Sequence, residues 1–269
     1  MLEYFYLDNR FLVLSMVFVL GAIVGSFLNV CVYRIPRRET IVTTPSHCPA
    51  CGHPIAWYDN IPILSYVFLL SKCRQCKGRI KPRYPLVEGL TGALYLFILY
   101  RFGFTGQAGA YVLFGSLLLI CAFTDLELDD DGQMYLMIPD EITLPGTVAG
   151  VLLSFVLTDM TLINSLMGVV VGGGSLYLVM RIVPRGMGDG DTKLAAMMGA
   201  FLGWKSVLIG IYLGIILGAV VGVILLVLKI RGRKDAIPFG PFLVSGAVIS
   251  IFYSGRFISR FLVTALSGS

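Results

Sequence analysis

Apolar residues along this chain come in long unbroken blocks, not in the short alternations of a water-soluble fold. Blocks of spanning or near-spanning length run over 11–33, 86–104, 109–124, 142–158, 161–183, 206–228 and 238–254, with a shorter one near 192–203. A membrane helix needs about 20 such residues and accepts about 17. The pattern therefore predicts an all-α polytopic membrane protein with about eight transmembrane helices, if the short block is kept. One stretch breaks the series. Residues 34–85 are polar, so the chain divides into a first transmembrane helix over 1–33, an inserted domain over 34–85 and a membrane-embedded region over 86–269.

Charge orients this layout. The polar insert holds Arg34, Arg37, Arg38, Lys72, Arg74, Lys77, Arg79, Lys81 and Arg83 against only Glu39 and Asp59. Basic loops stay on the cytoplasmic side, which puts the insert there and runs the first helix from outside to inside. Alternation then places loops 125–141, 184–192 and 229–237 inside as well, and the last two are basic. The loops expected outside, 104–110 and 158–161, have almost no basic residues. This agreement requires eight helices. The first apolar block is followed by Arg34, Pro36, Arg37 and Arg38, with no small-residue cleavage site, and so reads as a retained helix.

Composition supports the same class. Of 269 residues, 57% are hydrophobic and only 14% charged, against about a quarter charged in soluble domains. The net charge of +5 is spent beside apolar blocks, where it fixes orientation, and implies no nucleic-acid partner. The lipid bilayer is the first partner expected. Glycines at Gly168, Gly172, Gly173 and Gly174, and every fourth residue from Gly210 through Gly214 and Gly218 to Gly222, predict close helix packing.

The insert carries two C-x-x-C knuckles, Cys48-Pro-Ala-Cys51 and Cys73-Arg-Gln-Cys76. A two-residue spacing lets a tight turn aim both sulfurs at one ion, and two such turns complete a tetrahedral Cys₄ zinc site. Gly52 and Gly78 after the knuckles supply the positive φ expected there. Disulfides and a redox role are the rival readings, but the segment is placed in a reducing compartment, which disfavours disulfides. With four thiolate ligands no position stays open to substrate, so the Zn2+ is structural. His47 and His53, the only histidines, flank the first knuckle. Cys31 and Cys121 lie in apolar blocks and read as buried hydrophobes.

With both histidines in the insert, no Ser-His-Asp or Cys-His site can form among the membrane helices. Carboxylates remain. Asp125 closes the apolar block 111–124, and Asp189 sits in Gly186-Met187-Gly188-Asp189-Gly190-Asp191 ahead of the short block. Two carboxylates brought close in a partly apolar site share one proton, which is the equipment for attacking an amide with water and no metal. Gly186 and Gly188 let an extended substrate backbone approach Asp189. Asp129, Asp130 and Asp131 read as a solvated loop.

Gly186-Met187-Gly188-Asp189 resembles the GxGD motif of membrane aspartyl proteases. Gly25-Ser26-Phe27-Leu28-Asn29-Val30 leading to Tyr33-Arg34-Ile35-Pro36 resembles the first-helix signature of bacterial type IV prepilin peptidases. The paired knuckles, Trp57-Tyr58-Asp59-Asn60-Ile61-Pro62, Tyr84-Pro85-Leu86-Val87-Glu88, Asp125-Leu126, Ile138-Pro139-Asp140 and Lys193 continue that resemblance over nearly the whole chain. It implies an endopeptidase of the bacterial inner (cytoplasmic) membrane that removes a short basic leader from prepilins and pseudopilins after a glycine at the cytoplasmic face. It also implies methylation of the new N-terminus with S-adenosylmethionine, with Asp125 and Asp189 as the catalytic pair and Lys193 in the site loop. The gap between Asp125-Leu126 and Ile138-Pro139-Asp140 is wider here than the family's usual spacing, and the inserted loop is expected to bulge away. Two alternatives stand beside this reading: a methyltransferase whose cofactor site the zinc segment helps to build, and a transporter or assembly factor that binds ions on acids near the middle of its helices.

Overall fold

The computed structural model describes residues 10–42, 45–129, 132–158, 160–182, 188–230, 232 and 237–252. Among these the chain is helical: α1 (Arg10–Arg34), the short α2 (Leu64–Phe68), α3 (Arg83–Phe102), α4 (Gly106–Asp125), α5 (Asp140–Leu153), α6 (Leu162–Ile182), α7 (Asp189–Val227) and α8 (Gly240–Phe252). No β-strand is present among the described residues, only isolated bridges at hairpin turns. The protein is an all-α membrane protein. By length and composition alone, α1, α4, α6 and α7 are each able to cross a bilayer.

Among the described residues, each of the eight apolar blocks contains helix. The short block and its successor are joined as α7, which is broken at Gly203 (φ 75°, ψ 170°), a conformation closed to residues with a Cβ. Past this break the chain doubles back. Met198 on the first leg reaches to 3.3 Å from the Cβ position of Gly210 on the second. The backbone groups released at the turn have partners on α6. Asn164 Oδ1 accepts from the Trp204 N–H (3.4 Å), and the Ser165 hydroxyl donates to the Ala200 carbonyl (2.8 Å). Inside a membrane, backbone can leave the helix only where protein supplies such partners.

The helices divide into two compact units, 1–108 and 109–269. Within the first unit α3 packs along α1. The contact depends on small residues. A Cβ on Gly25 would stand 2.7 Å from the Glu88 Cα, and one on Gly21 would stand 2.8 Å from the Gly92 Cα. In the second unit α6 packs on the first leg of α7 with Gly168 against Gly199, and α8 packs on the second leg with Gly246 against Gly210. Gly174, from the same expected set, faces open space.

The loop between α4 and α5 is ordered at its two arms. It folds as a small hairpin with Leu128 bridged to Met134. Asp129 ties its arms: its backbone N–H donates to the Gln133 carbonyl (2.7 Å), and its side chain accepts the Gln133 N–H (2.7 Å). Asp130 and Asp131 lie outside the described residues.

Candidate active site and metal cluster

The second unit brings two carboxylates together, and they are not the pair expected. Asp125, the last residue of α4, is 5% exposed, and Asp191, in the first turn of α7, is 7% exposed. They border the same segment: Gly240, which donates to Asp125, and Gly190, next to Asp191, both stand against Ile138. Asp189, expected opposite Asp125, instead turns outward with its side chain 65% exposed and pairs with Lys193 (2.6 Å) one helical turn on.

Helix geometry explains the exchange. Gly188 is the N-cap of α7, which makes Asp189 the first helical residue and Asp191 the third. At the third position a carboxylate reaches back over the helix start, and Asp191 Oδ2 accepts the Gly188 N–H (3.1 Å). Asp125 receives matching support from the start of α8, where the Gly240 N–H donates to its Oδ2 (3.0 Å). Each buried acid is thus held by one glycine N–H at a helix N-terminus, where the macrodipole favours negative charge.

Glycine is needed for proximity as well. A Cβ on Gly240 would stand 2.9 Å from Asp125 Oδ2, and one on Gly190 would stand 2.9 Å from the Ile138 Cβ and 3.3 Å from the Ile138 carbonyl oxygen. Ile138 itself reaches to 3.3 Å from the Gly240 Cβ position. The segment before α5 is therefore wedged between the starts of α7 and α8, beside the acids.

Lys193 joins two elements. Its ammonium donates to both oxygens of Asp140 (2.7 and 2.9 Å) at the start of α5 and pairs with Asp189 on α7. Gly186 lies outside the described residues. Asp191 and Gly240 escaped the sequence reading, and so did the burial of Glu127, near Asp125 in sequence. Gly240 sits in Pro238-Phe239-Gly240-Pro241, whose flanking prolines mark a helix start at the expected cytoplasmic end. Glu127 is 2% exposed although it stands in a loop that reads as solvated.

The first unit gathers Cys48, Cys51, Cys73 and Cys76 with all four sulfurs within 4.8 Å of one another. Cys48 and Cys76 are 3.9 Å apart. Tetrahedral zinc with Zn–S bonds of about 2.3 Å requires sulfurs about 3.8 Å apart, so the donor set and its spacing are compatible with zinc. Each knuckle closes on itself. The Gly52 N–H donates to the Cys48 carbonyl (2.8 Å) and the Lys77 N–H to the Cys73 carbonyl (3.1 Å). Gly52 takes the expected positive φ (69°), but in the second knuckle the equivalent residue is Lys77 (φ 59°), one position ahead of Gly78. Gly78 serves by being small, since its Cβ position is 3.2 Å from the Cys76 sulfur. Backbone N–H groups of Cys76 and Gln75 pull the Cys73 thiol down to about 7, whereas Cys51 in the same cluster is raised to about 11. A bidentate pair, Arg74 to Asp59 (2.6 and 2.8 Å), ties the second knuckle to the turn at Trp57–Asn60 and holds the Asp59 carboxyl below its ordinary range.

Comparison with known families matches residues 19–102 to the Bacterial Peptidase A24 N-terminal domain and residues 112–223 to the Type IV leader peptidase family. A protein of Myxococcus xanthus named prepilin leader peptidase/N-methyltransferase is 43% identical over 71% of this chain, a match that covers 56% of that protein's length. Proteins of the same name are 35% identical in Pseudomonas aeruginosa, over 91% of each chain, and 32% identical in Stutzerimonas stutzeri, over 91% of this chain and 92% of that one. No solved structure matches the chain.

Proposed function

This chain belongs to the type IV leader peptidase family, and from that premise we propose that Asp125 and Asp191 are the catalytic pair of an inner-membrane endopeptidase acting on prepilins and pseudopilins. The enzyme removes the basic leader after a glycine, at the cytoplasmic face. The observation that carries the assignment is the burial of these two acids on either side of Ile138, each on a glycine N–H, while Asp189 is turned to solvent.

Two close carboxylates do not both ionise readily. The ionised one takes a proton from water as the water oxygen bonds to the scissile carbonyl carbon. The protonated one delivers its proton to the amide nitrogen as the C–N bond breaks. The Gly188 and Gly240 N–H groups keep each carboxylate oriented through this exchange. Lys193 holds the starts of α5 and α7 together from outside the site, through Asp140 and Asp189. A transporter would place its acids near the middle of helices. Here the pair stands at helix ends, and Glu88, in α3, is engaged by the Ile63 N–H (2.7 Å).

Methylation of the new N-terminus with S-adenosylmethionine is the second activity proposed, supported by the relatives' shared name. Cys48, Cys51, Cys73 and Cys76 hold a structural zinc, supported by their donor set and spacing.

The test is cleavage of a prepilin with a basic leader and a Gly-Phe junction by the purified protein and three variants. Asp125→Asn and Asp191→Asn each lose at least about a hundredfold in rate, the scale of general acid–base catalysis, and the wild type shows the bell-shaped pH profile of a coupled pair. Asp189→Asn keeps its activity. An inert Asp189→Asn beside an active Asp191→Asn would return the role to Asp189.

A further inference from the structure

Helix α2 is built inside out. Leu64, Val67 and Phe68 stand three and four residues apart and so share one face, and that face is the outer one: they are 53%, 60% and 80% exposed. The buried residue is Ser65, at 8%. Its hydroxyl donates to the Tyr58 carbonyl (3.1 Å) and accepts the Ile61 N–H (3.0 Å), so the polar side of the helix is used up inside. Leu70 follows at 78% exposed, held out by a positive φ of 51°, and Trp57 precedes at 81%. A domain surrounded by water turns such a face inward.

Two contacts fix the level at which α2 sits. The Ile63 N–H, just before α2, donates to the Glu88 carboxylate (2.7 Å), and the Ile63 side chain lies 4.0 Å from the Gly89 Cβ position. Glu88 and Gly89 lie beyond the first turn of α3, which starts at Arg83. At 1.5 Å per residue that is about 8 Å along the helix. Helix α2 is therefore level with the second turn of α3, not with the polar segment that precedes it. At the same level α3 shows Leu86 and Leu90 outward, 53% and 42% exposed. Lys72, Arg79 and Lys81 stand in the polar segment between α2 and α3, a placement suited to anionic headgroups.

We propose that α2 is an interfacial foot: its Leu64–Val67–Phe68 face lies among the acyl chains just beneath the headgroups, with Trp57 at headgroup level. The occupant of this surface is the lipid leaflet at the N-terminal end of α3. The foot continues the lipid-facing side of α3 and fixes the Cys₄ segment against the membrane at both of its ends and also in its middle. Charge and depth select lipid over a protein partner.

Fluorescence depth measurement tests this without reference to cleavage. The chain has two tryptophans. Trp57→Phe and Trp204→Phe combined with Phe68→Trp leave one probe on the foot, and Trp204→Phe alone leaves the native Trp57. Each full-length protein is reconstituted into vesicles of zwitterionic and anionic lipid, with or without lipids brominated near the headgroup or near the middle of the chain. The expected result, with no prepilin present, is blue-shifted emission, quenching strongest with the shallow bromines, and protection from aqueous iodide. Water-like emission that iodide quenches and brominated lipid does not would overturn the proposal. Shielding of either probe only on addition of a prepilin would overturn it too, by assigning the face to substrate. The Trp57 protein, unchanged on α2, supplies the answer if the Phe68→Trp protein fails to fold.

Discussion

Two positions separate Asp189 from Asp191, and on a helix that is about 200° of rotation. One faces solvent and Lys193; the other is buried against the Gly188 N–H. The motif hides this choice because it overlaps itself: Gly186-Met187-Gly188-Asp189 and Gly188-Asp189-Gly190-Asp191 have the same spacing. Only the helix start decides between them, and that start depends on Gly188 acting as the cap. Gly190 is the glycine whose size matters for the second reading. Gly190→Ala drives a Cβ to 2.9 Å from Ile138 Cβ, an overpacking that costs about 1–3 kcal/mol and displaces the segment beside the acids. It is expected to lower both the thermal midpoint and the cleavage rate, whereas Gly174→Ala, in open space, changes neither. Equal behaviour of the two variants would remove Ile138 from the site. Asp125 was legible in the sequence because a helix ends on it. Gly240 was not, because its contact with Asp125 spans 115 positions.

At the scale of elements, block length and charge located the helices well, since each apolar block needs lipid or protein around it. The sharp turn inside α7 was less legible. A lone glycine between apolar blocks marks a boundary, but only the partners on α6 make a full reversal tolerable there. Asn164→Leu removes the acceptor for the Trp204 N–H. In membranes such a bond contributes on the order of 1 kcal/mol, so this variant is expected to unfold measurably earlier in a denaturant series in detergent. Ser165→Ala, which orphans no backbone N–H, costs less. The hairpin between α4 and α5 also escaped the sequence reading, because Asp129 reads as one of three solvated acids until its bonds to Gln133 are seen.

For the whole molecule, the division at 108 separates the two chemistries. Both proposed catalytic acids and the glycines that hold them belong to the second unit, and all four cysteines belong to the first. Stripping the metal with a strong chelator, or Cys51→Ser, is expected to loosen the polar segment and abolish methyl transfer while prepilin cleavage persists. The check is mass spectrometry of the mature pilin N-terminus. Cleavage lost in step with zinc would show that the first unit is needed to present the substrate. The break at Gly203 bears on how the second unit is made. The leg from Asp189 to Gly203 is shorter than the roughly 20 residues a span requires, and it opens with two acids and a lysine. A translocon has little reason to release such a segment sideways into lipid by itself. Its path into the bilayer runs through the longer leg that follows, so the two are inserted as one hairpin, and Asp191 reaches its place opposite Asp125 only after residues well downstream of it have left the ribosome.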